Sequence, residues 1–338
     1  MLIQTALLFV ALLAAFPADG AAAGKPKHRK TPRRVHREAP IDPAVVNNAA
    51  LAEPVRPGAS GSAILRAQVL LARAHFSCGE IDARYGANLK IAIEDYQSSH
   101  GLPAGGIVEE QTWKLLNTDS NPALVRAPIA PEDVAGPFSP VPEEMMEKAK
   151  LPALNYSSPL EAIAEKYHAS PALLQKLNPG AAFDRAGEEI VAPNVLSSPP
   201  EKAASIVVSK SRRAVLTLDS AGRILSRYPA TIGSEHDPLP IGKWKILGVA
   251  KNPPFHYNPN LFWDAKGSDQ KTTIQPGPNN PVGVAWIDLS KEHYGIHGTP
   301  EPSQIGKTQS HGCIRLTNWD VTELSRMVGP GTPASLEE

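Results

Sequence analysis

The chain has 338 residues and few of the features that would place it at once in a simple class. It has no excess of either charge, with 34 Lys+Arg against 34 Asp+Glu, and this balance gives no indication of a nucleic-acid partner. Its 2 cysteines lie in unlike surroundings, Cys78 in an apolar helical segment and Cys313 in a loop with glycine and histidine neighbours. These settings predict one buried structural thiol and one reactive thiol rather than a disulfide.

Long apolar runs are also lacking, except for one at the N-terminus. Residues 2–16, LIQTALLFVALLAAF, are too short to span a bilayer comfortably, and alanines follow at 21–23. This pattern predicts a signal peptide over residues 1–23, and therefore export to the periplasm or cell wall with no integral membrane span after cleavage. A buried helix or an uncleaved anchor is the alternative.

Proline, in contrast, is abundant. Many of the 34 prolines cluster between positions 25 and 60 and between 121 and 159, and such stretches are typical of extended spacers. They predict a basic, proline-rich linker over 24–60 and a second linker over 119–150. Because 338 residues exceed one ordinary core, two or three domains are expected between and after these linkers.

The first such domain is predicted over residues 61–118. Apolar residues recur there at helical spacing, as at Leu65, Val69 and Ala72, and a glycine-rich break precedes a last short segment around Trp113. Three short helices are therefore expected. The order FSCGEIDARYGANLKIAIEDYQSSHGLPAGGIVEEQTWKLL resembles the helical peptidoglycan-binding module of cell-wall enzymes.

A second small domain is predicted over residues 151–196. Ser158, Pro159 and Glu161 form a capping box that begins one helix, and Ser170 with Pro171 begins another. The whole stretch is similar to a LysM module, a βααβ unit that in its family binds glycan chains. A purely structural spacer is the other interpretation, because Ser158-Pro159 replaces the Gly-Asp usual in that family.

The period of the apolar residues changes after residue 203. Ala214, Leu216 and Leu218 alternate with their neighbours and predict one arm of a hairpin in a mainly β domain, a sandwich or partly closed barrel over 203–330. One late helix is predicted, with Asn318 as its N-cap. The predicted fold class is therefore multidomain α+β, with a three-helix module, a LysM-like module and a mainly β catalytic domain.

The segment IHGTPEPSQIGKTQSHGCIRL has the composition of a functional loop. Cys313 is the candidate nucleophile, and a thiol of ordinary pKa needs a base or a cation beside it. His297 and His311 are the candidates for that base. Gly312 allows the backbone to bend, so that the N–H groups of Gly312 and Cys313 can receive a developing oxyanion.

Two interpretations of this segment are alternatives to a nucleophilic Cys313. A zinc site could be built from His293, His297, His311 and Cys313, but their spacing matches no common zinc pattern. A buried inert thiol is the second, although glycine and histidine are poor core material.

The stretch SHGCIRL, with IHGT upstream, resembles the active-site signature of the L,D-transpeptidase family, also called the YkuD domain. The resemblance implies that Cys313 is the nucleophile and that His297 is the base, oriented by a backbone carbonyl near Gly295 or Gly298. It further implies that Arg315 binds a substrate carboxylate or pairs with Asp320. The residues expected to shape the pocket and its oxyanion site are Ser310, His311 and Gly312.

The resemblance also implies the reaction. A cysteine thioester formed from one peptidoglycan stem peptide would react with the amine of a second stem, and the product would be a cross-link between the two stems. The reaction would need no cofactor, and carbapenems would inhibit the enzyme. The alternatives are an L,D-carboxypeptidase, attachment of a wall-bound protein, exchange of a D-amino acid, a zinc amidase or a non-catalytic wall-binding protein. The expected partners are stem peptides and glycan strands.

Overall fold

A computed structural model describes residues 41–338. The predicted signal peptide over 1–23 and the first part of the predicted linker, residues 24–40, lie outside the described residues. Within 41–338, no helix is long and apolar enough to cross a membrane.

The helices precede most of the strands in the chain. The helices are α1 (Pro43–Val46), α2 (Ser62–Arg73), α3 (Ala87–Ser99), α4 (Glu110–Leu116), α5 (Pro131–Val134), α6 (Met145–Lys148), α7 (Pro159–Lys166), α8 (Pro171–Leu177) and α9 (Asn318–Met327). The strands are β1 (Leu124–Pro128), β2 (Glu189–Pro193), β3 (Ser205–Ser209), β4 (Ala214–Leu218), β5 (Ile224–Pro229), β6 (Thr231–Ile232), β7 (Gly242–Lys251), β8 (Phe255–Tyr257), β9 (Thr272–Ile274), β10 (Ala285–Leu289), β11 (Gly295–His297), β12 (Ile314–Arg315) and β13 (Pro333–Glu337).

Helices α2, α3 and α4 form the predicted helical module (residues 61–118). Leu65 and Val69 of α2 are buried, as their spacing predicts, and Trp113 of α4 is buried with them. The end of the stretch predicted as the first linker also packs on this module. Helix α1 lies in it, and Val55 is fully buried and pairs with Val108.

Strands β1 and β2 pair antiparallel around helices α7 and α8, and residues 124–193 are called the second module below. Ser158 and Ser170 accept hydrogen bonds from Glu161 N and Leu173 N, as expected of N-caps. Strand β1 and helices α5 and α6 lie inside the stretch 119–150 predicted as a linker. The prolines there mark element boundaries instead, since Pro128 ends β1 and Pro131 begins α5.

The remaining strands form mainly one nine-stranded sheet, in the order β5-β4-β3-β13-β7-β10-β11-β12-β6. Helix α9 packs on it through Val321 and Leu324, both fully buried. The predicted α+β class, with a helical region followed by a mainly β domain, is confirmed, but the first strand of the predicted βααβ unit, β1, lies before the predicted start of that unit at residue 151. The predicted N-cap of α9 is wrong: Thr317 accepts the hydrogen bond from Asp320 N, and the side chain of Asn318 is engaged elsewhere.

The helical module and the sheet are in direct contact. Phe76 forms a β-bridge with Arg227 of β5, and the buried Arg227 guanidinium lies 3.2 Å from a carboxylate oxygen of Asp95 on α3. Ser77 Oγ donates to Asp320 of α9. The described residues therefore belong to a single compact unit.

Candidate active site

Two short parallel strands position the candidate catalytic side chains. In β11 and β12, Ile296 pairs with Ile314 and His297 with Arg315. Both isoleucines are fully buried in the core beneath α9. Because side chains alternate along a strand, His297 and Arg315 point to the opposite face, and Cys313, two residues before Arg315, shares that face.

This face borders a cavity of about 920 Å³. Among the residues predicted for the site, Cys313, His297, His311 and Arg315 all line it. Ser310 and Gly312 belong to the loop that carries the thiol. Additional lining residues that bear on the site are Trp286, Tyr294, Asp264, Asp237, Lys266 and Glu144.

His297 is held in one orientation by its neighbours. Its Nδ1 lies 2.7 Å from the carbonyl oxygen of Gly298, the predicted kind of backbone partner. A carbonyl only accepts, so Nδ1 carries the proton and Nε2 is the nitrogen that can accept one. The ring stacks on Trp286 of β10, with centroids 5.4 Å apart.

Burial sets the protonation state of this imidazole. His297 is 4% exposed. Burial, with a smaller effect of the positive charge of Arg315, lowers the pKa of His297 to about 3, and the Gly298 carbonyl opposes this only in part. The ring is therefore neutral near pH 7 and available as a base.

The thiol of Cys313 is also uncharged at rest. Burial raises its pKa, while a backbone hydrogen bond from Gly295 and the charge of Arg315 lower it by smaller amounts. Its Sγ lies 3.7 Å from the carbonyl oxygen of His293, toward which the S–H donates. With a neutral thiol and a neutral imidazole lining the same cavity, a base would have to remove the proton during attack.

The loop before Cys313 is fixed by hydrogen bonds and by a glycine. Ser310 Oγ donates to the carbonyl of Cys313 at 2.5 Å, and Ser310 N donates to the carbonyl of Gly233. Gly312 has a φ of 93°, and a Cβ at this position would lie 2.9 Å from the ring of Tyr294. Only glycine fits this bend without strain.

His311 is engaged away from the thiol. Its Nε2 lies 2.8 Å from Asp264 Oδ1, and its Nδ1 lies 3.5 Å from Arg315 Nη2. These contacts favour His297 over His311 as the base. Asp320, the other partner expected for Arg315, lies on α9 and accepts from Ser77 instead, and Arg315 lines the cavity.

Sequence reasoning missed Trp286, Tyr294 and Asp264. Strict alternation in VGVAWIDL places Trp286 on the face opposite the buried Ile287, and this pattern could have identified it. Asp264 lies in an irregular loop far from Cys313 in sequence, where no pattern marks it. Within the part of the chain that the structure describes, no group of three or more His, Cys, Asp or Glu residues is arranged to hold a metal ion.

Two stretches of the chain match models of known protein families. Residues 203–336 match the YkuD family model, described as "L,D-transpeptidase catalytic domain", and residues 60–116 match the model "Putative peptidoglycan binding domain". Both descriptions concern the bacterial cell wall. The chain thus carries a stretch that matches a catalytic family and a second stretch that matches a putative binding family.

Sequence identity to proteins of known family shows which family the chain belongs to. The protein named "Putative L,D-transpeptidase YkuD" from Bacillus licheniformis is 34% identical over 179 residues, which are 52% of this chain and 92% of that protein. Its counterpart in Bacillus subtilis is 34% identical over 178 residues with the same coverage. "Probable L,D-transpeptidase ErfK/SrfK" of Escherichia coli is 28% identical, over 52% of this chain and 58% of that protein. The chain belongs to the L,D-transpeptidase family.

Solved structures of similar proteins include L,D-transpeptidase 3 of Mycobacterium tuberculosis with a faropenem-derived adduct, at 18% identity and a TM-score of 0.33. That alignment covers 46% of this chain and 71% of the mycobacterial one. An L,D-transpeptidase from Xylanimonas cellulosilytica aligns over 85% of this chain and 98% of its own, at 14% identity and a TM-score of 0.36.

Proposed function

We propose that this L,D-transpeptidase cross-links peptidoglycan stem peptides through a thioester on Cys313, with His297 as the general base. The observation that carries the proposal is the parallel pairing of β11 with β12, which sets His297, Cys313 and Arg315 on one face beside one cavity. The cavity, about 920 Å³, is large enough for a peptide segment.

The first half-reaction would form the thioester. His297 Nε2 takes the proton of Cys313, and the sulfur attacks the carbonyl between the diamino acid and the terminal D-alanine of a donor stem. The N–H groups of Gly312 and Cys313 would receive the negative charge of the tetrahedral oxygen. When the intermediate collapses, the C–N bond breaks, the imidazolium returns its proton to the departing amine, and D-alanine leaves.

The second half-reaction would reverse the proton movements. The side-chain amine of an acceptor stem loses a proton to His297 and attacks the thioester carbonyl; the C–S bond breaks as the amide forms, and the Cys313 thiolate leaves and takes the proton back from His297. No external energy source is required, because an amide bond is broken for each amide bond formed.

Arg315 would bind the carboxylate of the donor stem. Its guanidinium lines the cavity, it neighbours His297 in the strand register, and it presents several N–H donors in a plane that suits a carboxylate. The match to a peptidoglycan-binding model is consistent with wall association, and we place the enzyme after export in the periplasm.

The test of this proposal is labelling by a carbapenem, followed by mass spectrometry. One drug mass should add to Cys313, and Cys313→Ala should abolish the addition. Cys78→Ala is the matched control, since Cys78 is buried and burial raises the pKa of its thiol. An adduct that persists in Cys313→Ala would assign the chemistry to another nucleophile. Mass spectrometry of stem peptides after turnover should show a dimer; a shortened monomer alone would indicate hydrolysis.

A further inference from the structure

The structure assigns a positioning role to Glu165, a residue of α7 in the second module. We propose that Glu165 fixes the orientation of the Asn318 side chain, and that Asn318 in turn fixes the backbone of Gly298, whose carbonyl holds His297. This inference rests on the proposed role of His297 as the base. It gives the second module a part in catalysis that does not depend on glycan binding.

The first link is the contact between His297 and Gly298. The ring orientation depends on where the Gly298 carbonyl lies, because Nδ1 donates to it at 2.7 Å. A displacement of this carbonyl by a few tenths of an ångström would turn the ring, and with it the Nε2 that must meet the thiol.

The second link is the packing of Asn318 against two glycines. A Cβ on Gly298 or on Gly283 would collide with Asn318 Oδ1, so the amide occupies the space that side chains would otherwise fill. Gly283 itself is packed against Gly298, since its Cβ would lie 2.6 Å from the carbonyl carbon of Gly298. Asn318 is 2% exposed, and Asn318 Oδ1 also accepts from Val284 N at 3.2 Å.

The third link is the contact between Glu165 and Asn318. Asn318 Nδ2 donates to Glu165 Oε1 at 3.0 Å, lies 3.2 Å from Oε2, and donates to the Pro278 carbonyl at 3.1 Å. Burial raises the pKa of Glu165 to about 7, and in either protonation state the carboxyl group keeps an oxygen that accepts from Nδ2, so Nδ2 stays toward the second module and Oδ1 toward the two glycines. Tyr156 donates to the same carboxyl group at 3.0 Å and holds it in place.

The residues on the two sides of this contact come from different parts of the chain. Asn318 lies within the stretch 203–336 that matches the catalytic family model, whereas Glu165 lies outside it. Removal of Glu165 would leave the buried amide with only the Pro278 carbonyl as an acceptor for Nδ2, so that it is oriented less firmly and restrains the Gly298 backbone less well.

The experiment measures the rate constant for acylation of Cys313 by a carbapenem at saturating drug, together with the drug concentration that gives half of that rate. Glu165→Ala should lower the rate constant about tenfold, a part of the effect of a general base, and leave the half-saturating concentration nearly unchanged. Glu165→Gln keeps an oxygen that accepts from Asn318 and Tyr156, and should retain most of the rate.

Glu161→Ala is the matched control. Glu161 is on the same helix and also contacts the catalytic domain, accepting from Asn279 Nδ2 at 2.8 Å, but it does not touch Asn318. Its loss weakens the docking of the second module and the N-terminal cap of α7 but removes no contact with Asn318, so the acylation rate should fall much less than in Glu165→Ala. An equal loss in Glu161→Ala and Glu165→Ala would overturn the inference in favour of general docking.

A second pair of variants keeps the inference testable if Glu165→Ala fails to fold. Asn318→Asp places two acceptors opposite each other and should slow acylation, and Glu165→Gln combined with Asn318→Asp restores a donor and should recover part of the rate. No recovery, or a wild-type rate in Asn318→Asp, would overturn the inference while the Cys313 adduct still stands. Absence of any Cys313 adduct in the wild-type enzyme would instead refute the proposed function.

Discussion

The neutral state of His297 and Cys313 decides how the thiol can be activated. Burial lowers the pKa of His297 to about 3 and raises that of Cys313, so an imidazolium–thiolate pair is disfavoured before the substrate is present. In the proposed mechanism, proton transfer is therefore coupled to attack, and the neutral thiol is protected from adventitious oxidation, which requires the thiolate.

A flat pH profile follows for acylation. An imidazole with an ordinary pKa of about 6.5 would lose about thirtyfold of its neutral form between pH 8 and pH 5. His297, with its lowered pKa, keeps the neutral form throughout this range, so the acylation rate by a carbapenem should change little. Stopped-flow absorbance checks this, with Cys313→Ala reporting spontaneous drug hydrolysis. An acid limb centred near pH 6.5 would contradict the buried, neutral base.

The lowered pKa of His297 also makes the free energy of unfolding depend on pH. The folded pKa of His297 lies below the unfolded value, so between them the unfolded chain binds the extra proton, and stability falls as the pH drops from about 6.5 toward 3. His297→Gln removes this proton-binding site, so the variant should lose less stability than the wild type over that window. Urea unfolding at pH 7 and pH 5 measures the difference, and equal losses would contradict it.

At the scale of elements, much of the site could be predicted because its signals are local. The alternation of apolar residues indicated strands, and glycine and histidine beside Cys313 indicated a reactive loop. The side chain of Asn318 was assigned to a cap because asparagine favours that position, and the error has a physical cause. Thr317 caps α9 instead, which leaves the Asn318 amide for the contact with Glu165, and no local pattern shows that contact.

The loop that precedes the thiol depends on an element of the helical module. Asn88 of α3 donates to the Ile305 carbonyl at 2.9 Å, and a Cβ on Gly306 would collide with Asn88 Oδ1. Gly306 N donates in turn to Thr231, the strand neighbour of Arg315. The helical module is therefore a support for the catalytic loop.

Asn88→Ala should loosen this loop. Without the amide, the Ile305 carbonyl loses a partner and the backbone at 305–307 should open more often, so amide hydrogen exchange there should become faster. Hydrogen–deuterium exchange with mass spectrometry checks this. Asn48→Ala is the control, because the Asn48 side chain accepts from Ala50 N in its own turn. Unchanged exchange at 305–307 in Asn88→Ala would show that the contact does not restrain the loop.

For the whole molecule, the sequence suggested separate domains joined by proline-rich spacers, whereas the described residues pack as one unit. The difference lies in contacts between residues far apart in the chain, such as the pairing of Ile81 with Ala169 and the ion pair of Asp95 with Arg227. Composition and periodicity report on neighbours in sequence and carry no information on such contacts.

The Asp95–Arg227 ion pair should make the helical module and the sheet unfold together. Both side chains are fully buried, and Asp95 has one further cation, Arg212, at 2.9 Å. Arg227→Met leaves a buried carboxylate with a half-exposed partner, and a broken buried pair costs about 3–5 kcal/mol. Urea unfolding followed by tryptophan fluorescence should show this loss.

A double substitution tests whether the lost stability comes from leaving one buried charge without its partner. Asp95→Leu combined with Arg227→Met removes both charges, and because apolar replacement of a buried pair is often neutral, most of the lost stability should return. Lys114→Ala, which removes an exposed pair with Glu110, is the control and should leave the midpoint unchanged. Were Arg227→Met alone to unfold at the wild-type midpoint, the pair would not join the two parts, and their close packing would depend on the apolar contacts and backbone bridges around Phe76.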